Sequence, residues 1–217
     1  MNFIKFHIKL VLLGLFSLLC FIFISFTALS PDTFFLDLFV YEQRVLFELE
    51  ALTPFMIAVS VVFHPAVLFA LTVVLFFILR LVGRKKLGLL FLISMILGIA
   101  SSSLFKYVFG TARPLSSLYG AFGPAFPSGH ATAAAIFSVM TVASVWNKVH
   151  DFIINTLFGL TMLGMAFAVG ISRIYLSVHW VTDVAAGFAL GVFIATSTLL
   201  VYAKIHHHKH GTYSAQT

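Results

Sequence analysis

The stretch DVAAGFALGVFIATSTLLVY, residues 183–202, carries no charged side chain after Asp183. A helix needs about 20 mostly apolar residues to cross the hydrocarbon core of a bilayer, so this stretch predicts a membrane-spanning helix. Five more apolar segments precede it, at 10–29, 55–79, 87–104, 128–146 and 152–171. We therefore predict an all-α, polytopic membrane protein with six transmembrane helices, forming a single domain over residues 1–217.

The composition favours the same class. The chain is 61% hydrophobic and only 9% charged, whereas soluble domains average about 25% charged residues. The net charge of +6 does not indicate a nucleic-acid partner, because most basic residues flank the apolar segments, as membrane topology signals do. The single Cys20 permits no disulfide within the chain. We expect the protein to use no cofactor and no metal.

The placement of basic residues predicts the orientation. Six spans put the following residues on one side: Lys5, Lys9, Arg80, Arg84, Lys85, Lys86, Lys148, Lys204 and Lys209. An excess of lysine and arginine marks the cytoplasmic side. We expect a multi-pass protein of the cell (inner) membrane with both termini in the cytoplasm, and a cytoplasmic tail at 203–217.

Segment 31–52 is not a clean span. Asp37, Tyr41, Arg44 and Glu48 recur at spacings of four, three and four residues, which gives one polar helical stripe with apolar residues beside it. This pattern predicts an interfacial amphipathic helix on the outer leaflet. A loop is the alternative.

Polar motifs collect at the ends of the last four spans. Charged residues in membrane segments are functional candidates by default. The six-span topology brings three stretches to the outer face: Lys106 to Arg113-Pro114, Pro127-Ser128-Gly129-His130, and Ser172-Arg173 to His179 and Asp183.

These residue types suit a phosphate site. Lys106, Arg113 and Arg173 supply positive charge, and an arginine fork matches phosphate oxygens. A helix starting near Ser128 aims free N–H groups at an anion. Ser128 could cap that helix or bind phosphate, and Gly129 permits close backbone approach.

Two histidines can divide the catalytic work. His179 and Asp183 are four residues apart and share a helix face, so the carboxylate could orient the imidazole as a nucleophile. His130 could protonate the leaving alkoxide.

Together the three stretches resemble the tripartite signature of the type 2 phosphatidate phosphatase superfamily, K-x6-R-P, P-S-G-H and S-R-x5-H-x3-D, with every motif position matched between 106 and 183. The six spans resemble its integral membrane lipid phosphatases, such as the bacterial phosphatidylglycerophosphate and undecaprenyl diphosphate phosphatases. The resemblance implies a metal-independent phosphatase in which His179 forms a phosphohistidine, Asp183 orients it and His130 is the leaving-group acid. It assigns phosphate binding to Lys106, Arg113, Ser128, Gly129 and Arg173.

Two other functions are compatible with the same residues. The same site could transfer phosphate to a second lipid, or the chain could be an anion transporter. The expected partner is a lipid phosphate within the bilayer: undecaprenyl diphosphate, phosphatidylglycerol phosphate or phosphatidate. His64-Pro65 predicts a kink with a packed histidine rather than a ligand, and the histidine-rich tail predicts a cationic tail rather than a metal site.

Overall fold

The structure of the protein is a computed structural model that describes residues 3–28, 34–44, 46, 48–115, 118–146 and 151–211. The all-α prediction is confirmed, and these residues contain no strand. Their helices are, in chain order, α1 Phe3–Ala28, α2 Phe34–Arg44, α3 Thr53–Val62, α4 Pro65–Leu81, α5 Lys85–Phe109, α6 Gly129–Val145, α7 Phe152–Tyr175 and α8 Val181–Gly211. Lys148 and residues 212–217 of the predicted tail lie outside the described residues.

Four of the described helices are long and apolar enough to cross a membrane: α1 over His7–Ala28, α5, α7, and α8 over Val181–Ile205. The predicted span 55–79 is instead a helix pair, α3 and α4, bent by 43°. The predicted span 128–146 is α6, whose 17 residues extend only about 26 Å at 1.5 Å per residue. The predicted count of six is therefore approximate, since it requires the bent pair and α6 each to be counted as a span.

The bend between α3 and α4 confirms the predicted kink at His64-Pro65. Pro65 occupies the first turn of α4, where its missing N–H is tolerated. His64 is the N-cap residue, and its Nδ1 accepts the Ala66 N–H at 3.2 Å. The apolar run is thus interrupted by a capped helix start.

Helices α6 and α8 pack with their backbones in contact. A Cβ atom on Gly187 would lie 2.5 Å from the Ser128 carbonyl oxygen, and one on Gly191 would lie 2.6 Å from that of Thr132. Such small residues let membrane helices approach closely. The Ser128 N–H also donates to the Asp183 carbonyl oxygen at 2.9 Å. This contact holds the start of α6 beside the start of α8.

Helix α2 is shorter than the predicted segment 31–52, since it ends at Arg44. Its polar stripe turns inward: Asp37 is buried and accepts hydrogen bonds from the backbone N–H and the hydroxyl of Thr182, at 3.0 and 2.6 Å. Phe35 and Phe39 point outward and are 77% and 50% exposed. An outward apolar face on a short helix suits a position in the membrane interface.

Candidate active site

The three predicted motifs meet around one cavity of about 530 Å³. The C-terminal ends of α5 and α7, the N-terminal ends of α4 and α6, and the loop before α6 surround it. Of the eight predicted site residues, six line this cavity: Lys106, Arg113, Gly129, His130, Arg173 and His179. The other two, Ser128 and Asp183, lie behind them.

A tight turn between α7 and α8 positions His179. Helix α7 ends at Tyr175, and Ser177 adopts a left-handed conformation with φ of 52°. The Val178 N–H donates to the Arg173 carbonyl oxygen at 3.2 Å and closes the turn. His179 therefore comes just before α8 and within reach of its first turn.

Asp183 contacts the His179 ring from behind the cavity. Its Oδ2 lies 3.2 Å from His179 Nδ1 and accepts the Trp180 N–H at 2.9 Å. The Arg113 guanidinium lies on the other side, with Nη1 3.4 Å from His179 Nε2. A carboxylate only accepts and a guanidinium only donates, so the proton belongs on Nδ1 and the lone pair on Nε2. That lone pair faces Arg113 and the cavity.

The surroundings of His179 keep its imidazole neutral. The side chain is 4% exposed. Burial is the largest cause that lowers the pKa of His179 well below its ordinary value, and the charges of Lys106, Arg113 and Arg173 lower it further. A neutral imidazole is the form that can act as a nucleophile.

Arg113 ties the loop before α6 to the turn before α8. Its Nε donates to the Gly123 carbonyl at 2.9 Å, its Nη2 donates to that of Pro124 at 3.3 Å, and its Nη1 donates to that of Val178. Burial lowers the pKa of this guanidinium, which nevertheless stays cationic at neutral pH. Arg113 thus places a fixed positive charge beside His179.

Lys106 and Arg173 bring two more positive charges to the cavity. The Lys106 Nζ donates to the carbonyls of Pro124 and Ala125 at 2.9 and 2.8 Å. Arg173 is 4% exposed and donates from Nη1 to Ser60 Oγ. Among the described residues, no partner satisfies the buried Arg173 Nε. A buried donor without a partner is costly, and a bound anion would satisfy it.

The start of α6 presents Gly129 and His130 but not the Ser128 hydroxyl. Ser128 is fully buried, and its Oγ accepts the Ala131 N–H at 3.5 Å. Of the two predicted roles of Ser128, the structure therefore shows helix capping. The His130 Nε2 is buried with no hydrogen-bond partner within the described part of the chain. It is therefore available to hydrogen-bond a ligand in the cavity.

The motifs did not include all the lining residues. Ser60, His64, Ser102 and Ser103 also line the cavity. The sequence held one usable signal, since His64 is a polar residue inside an apparent apolar span. The predicted packed histidine is wrong, because His64 lines the cavity. Tyr119 and Phe122, which lie in the loop between the first two motifs, line the cavity as well.

Comparison with known proteins supports the fold and the family. A family model described as the PAP2 superfamily matches residues 87–206. Two curated relatives match part of the chain. Phosphatidylglycerophosphatase B of Bacillus subtilis is 39% identical over 74 residues, which cover 32% of this chain and 34% of the relative. Undecaprenyl-diphosphatase of Sulfolobus acidocaldarius is 27% identical over 122 residues, which cover 51% of this chain and 53% of the relative. The aligned parts thus span about a third and about half of the relatives' lengths.

Two crystal structures are also similar. A transmembrane PAP2-type phosphatidylglycerolphosphate phosphatase from Bacillus subtilis has a TM-score of 0.82 at 24% identity, covering 88% of this chain and 96% of the other. LpxE from Aquifex aeolicus has a TM-score of 0.57 at 22% identity, covering 75% and 93%. At these identities the matches establish the fold alone, and they confirm its membrane-protein class. The family model covers more than half of the chain, so the resemblance drawn from the three motifs is confirmed and this protein belongs to the PAP2 superfamily.

Proposed function

We propose that the protein is a membrane lipid phosphatase that hydrolyses a phosphomonoester or diphosphate lipid through a phosphohistidine on His179. The observation that carries this proposal is the orientation of His179. Its Nδ1 faces Asp183 at 3.2 Å, and its Nε2 faces Arg113 and the cavity. This arrangement leaves one nucleophilic lone pair in a pocket that carries three cations.

In the first step, the Nε2 lone pair of His179 attacks phosphorus. A P–N bond forms while the bond from phosphorus to the leaving-group oxygen breaks. His130 donates a proton to that oxygen, and Asp183 stabilises the positive charge that develops on the His179 ring. Lys106, Arg113 and Arg173 stabilise the charge on the equatorial phosphate oxygens.

In the second step, water attacks the phosphohistidine. His130, now unprotonated, takes a proton from the water, the P–O bond forms and the P–N bond breaks. Inorganic phosphate leaves, and His179 and His130 return to their starting states. Charge stabilisation comes from side chains in both steps, so we propose that no metal is required.

The proposed substrate class is supported by the membrane setting and by the relatives' names. The cavity lies at the ends of apolar helices, where a headgroup can enter while its tail stays in the bilayer. The two curated relatives are named for phosphatidylglycerophosphate and undecaprenyl diphosphate. We propose these lipids and phosphatidate as candidate substrates.

We further propose that the cavity faces the outside of the inner membrane. Lys106 lies in the last turn of α5, whereas Arg84, Lys85 and Lys86 lie at its other end. An excess of basic residues is typical of the cytoplasmic side. Leu115, two residues after Arg113 in the sequence, is fully exposed. Leu115→Cys in a Cys20→Ser background should react with a membrane-impermeant maleimide added to intact cells. Labelling that requires permeabilised cells would refute the orientation.

The central experiment measures phosphate release from a panel of lipid phosphates in detergent with excess EDTA. Wild type should release phosphate, His179→Ala should not, and His7→Ala in α1 serves as a matched histidine control. Loss of release in EDTA would refute metal independence, and equal release from His179→Ala would refute the nucleophile. Phosphate transfer to an added acceptor lipid instead of water would identify a phosphotransferase. Anion flux in vesicles without turnover would identify a transporter.

A further inference from the structure

His64 is a cavity residue that the two-step mechanism does not use. It lies at the bend between α3 and α4, and its ring centroid is 5.0 Å from that of His130, with the rings nearly perpendicular. Both rings line the same cavity. His64 therefore reaches the cavity from an element outside the three motifs.

The cap that starts α4 settles which nitrogen of His64 can act on a ligand. Its Nδ1 accepts the Ala66 N–H. An accepting Nδ1 is unprotonated, so the proton is on Nε2. His64 thus offers an Nε2–H donor.

The contact with His130 places that donor on the leaving-group side. His130 must reach the leaving-group oxygen to protonate it. The His64 ring centroid lies 5.0 Å from that of His130, so its side chain can reach a group attached to that oxygen. On the opposite side of the phosphorus, the in-line position belongs to His179.

The cavity has room and charge for more than one phosphate group. Its volume of about 530 Å³ is far larger than the roughly 30 Å³ that one water molecule occupies in the liquid. Its described lining carries the cations Lys106, Arg113 and Arg173 but no carboxylate. A phosphate monoester carries only −1.5 to −2 at neutral pH. A headgroup with a second phosphate matches three positive charges more closely.

We propose that His64 is a specificity-determining residue that donates from Nε2–H to a second phosphate on the leaving-group side. It thereby favours two-phosphate headgroups over simple monoesters. This assignment rests on the proposed phosphatase function, and it adds a residue and a substrate preference to it. Lipid diphosphates and phosphatidylglycerophosphate share the required chemistry.

The preference for two-phosphate headgroups is tested by measuring kcat/KM for matched pairs of substrates. The variants are His64→Ser, which keeps an N-cap acceptor but cannot reach the ligand, and His64→Gln, which restores an N–H donor of similar reach. The ratio of kcat/KM for a prenyl diphosphate to that for the prenyl monophosphate should fall 10- to 100-fold in His64→Ser, the loss expected for one hydrogen bond to a charged oxygen. His64→Gln should recover part of it. A second pair, phosphatidylglycerophosphate and phosphatidate, identifies which two-phosphate lipid is preferred.

A ratio that does not move in either pair would overturn the proposal, because a merely structural role lowers both activities together. A binding measurement keeps this test separate from the proposed function. Calorimetry in detergent compares inorganic diphosphate with inorganic phosphate. The ratio of the two Kd values should shift by about 10-fold between wild type and His64→Ser, even if no lipid is hydrolysed. Equal shifts for both anions, or none, would refute a second-phosphate site.

Discussion

Replacing Asp183 by asparagine tests the central pair of the site. The amide is close in size to the carboxylate, and its oxygen can still accept from His179 Nδ1 and the Trp180 N–H, as Oδ2 does at 3.2 and 2.9 Å. The variant therefore removes charge with little change of shape.

The expected loss follows from the geometry. Two unit charges 3.2 Å apart interact by about 5 kcal/mol at an effective dielectric constant of about 20. If between half and all of a unit charge develops on the His179 ring in the transition state, Asp183→Asn loses about 2.6 to 5 kcal/mol. At 1.36 kcal/mol per factor of ten, kcat/KM should fall roughly 10²- to 10⁴-fold.

The assay is phosphate release in detergent over a range of substrate concentrations, with thermal unfolding to verify folding. Asp37→Asn is the matched control, since it neutralises another buried carboxylate whose oxygens bond Thr182. We expect that control to lose less than about 10-fold. A folded Asp183→Asn protein within about 3-fold of wild type, or equal losses in the two variants, would refute charge stabilisation by Asp183. Adding Asp183→Asn to His179→Ala should cause little further loss, because the two residues act as a unit.

Three further predictions concern other parts of the structure. His130→Asn should lower kcat/KM by about 10² to 10⁴ for a monoester whose alkoxide needs a proton. The loss should be smaller for a diphosphate, whose leaving phosphate has a pKa near 6, and equal losses would contradict the acid role. Gly191→Ala places a Cβ 2.6 Å from a carbonyl oxygen of α6 and should cost about 1–3 kcal/mol of unfolding free energy as well as activity. In the control Gly159→Ala, the added Cβ meets nothing within 4 Å. A similar fall in melting temperature in this control would refute close packing at Gly191 as the cause. Because burial lowers the pKa of His179, the unfolded chain binds a proton below about pH 6.5 that the native state does not. Stability should therefore fall below that pH by up to about 1.4 kcal/mol per pH unit, and a melting series at pH 5–7 in which His179→Gln keeps the wild-type slope would contradict this.

Most of the site could be predicted from local spacing. Lys106 and Arg113 follow one apolar run, and His179 precedes another by the four residues that bring it to Asp183. Hydropathy sets where each helix ends, and the helical period sets which residues share a face. These two rules sufficed to gather the motifs at one end of the protein.

Other features depended on contacts between distant segments. The sequence of segment 55–79 does not predict that, at its bend, the His64 ring centroid lies 5.0 Å from that of His130. The spacing predicted the polar stripe of α2. It did not predict that Asp37 accepts a hydrogen bond from Thr182, which lies 145 positions later in the chain. The sequence was compatible with two roles for the Ser128 hydroxyl, helix capping and phosphate binding. In the structure it caps α6 by accepting the Ala131 N–H.

Sequence alone thus determined the membrane class, the family and the residues of the three motifs, because hydropathy and spacing act within a few turns of one helix. The tertiary structure decided which side chains face the cavity and which support it from behind. That choice depends on how closely helices approach, as where Gly187 and Gly191 bring α8 against the backbone of α6. Close packing of this kind is a property of pairs of helices, so the order of residues along either one does not specify it.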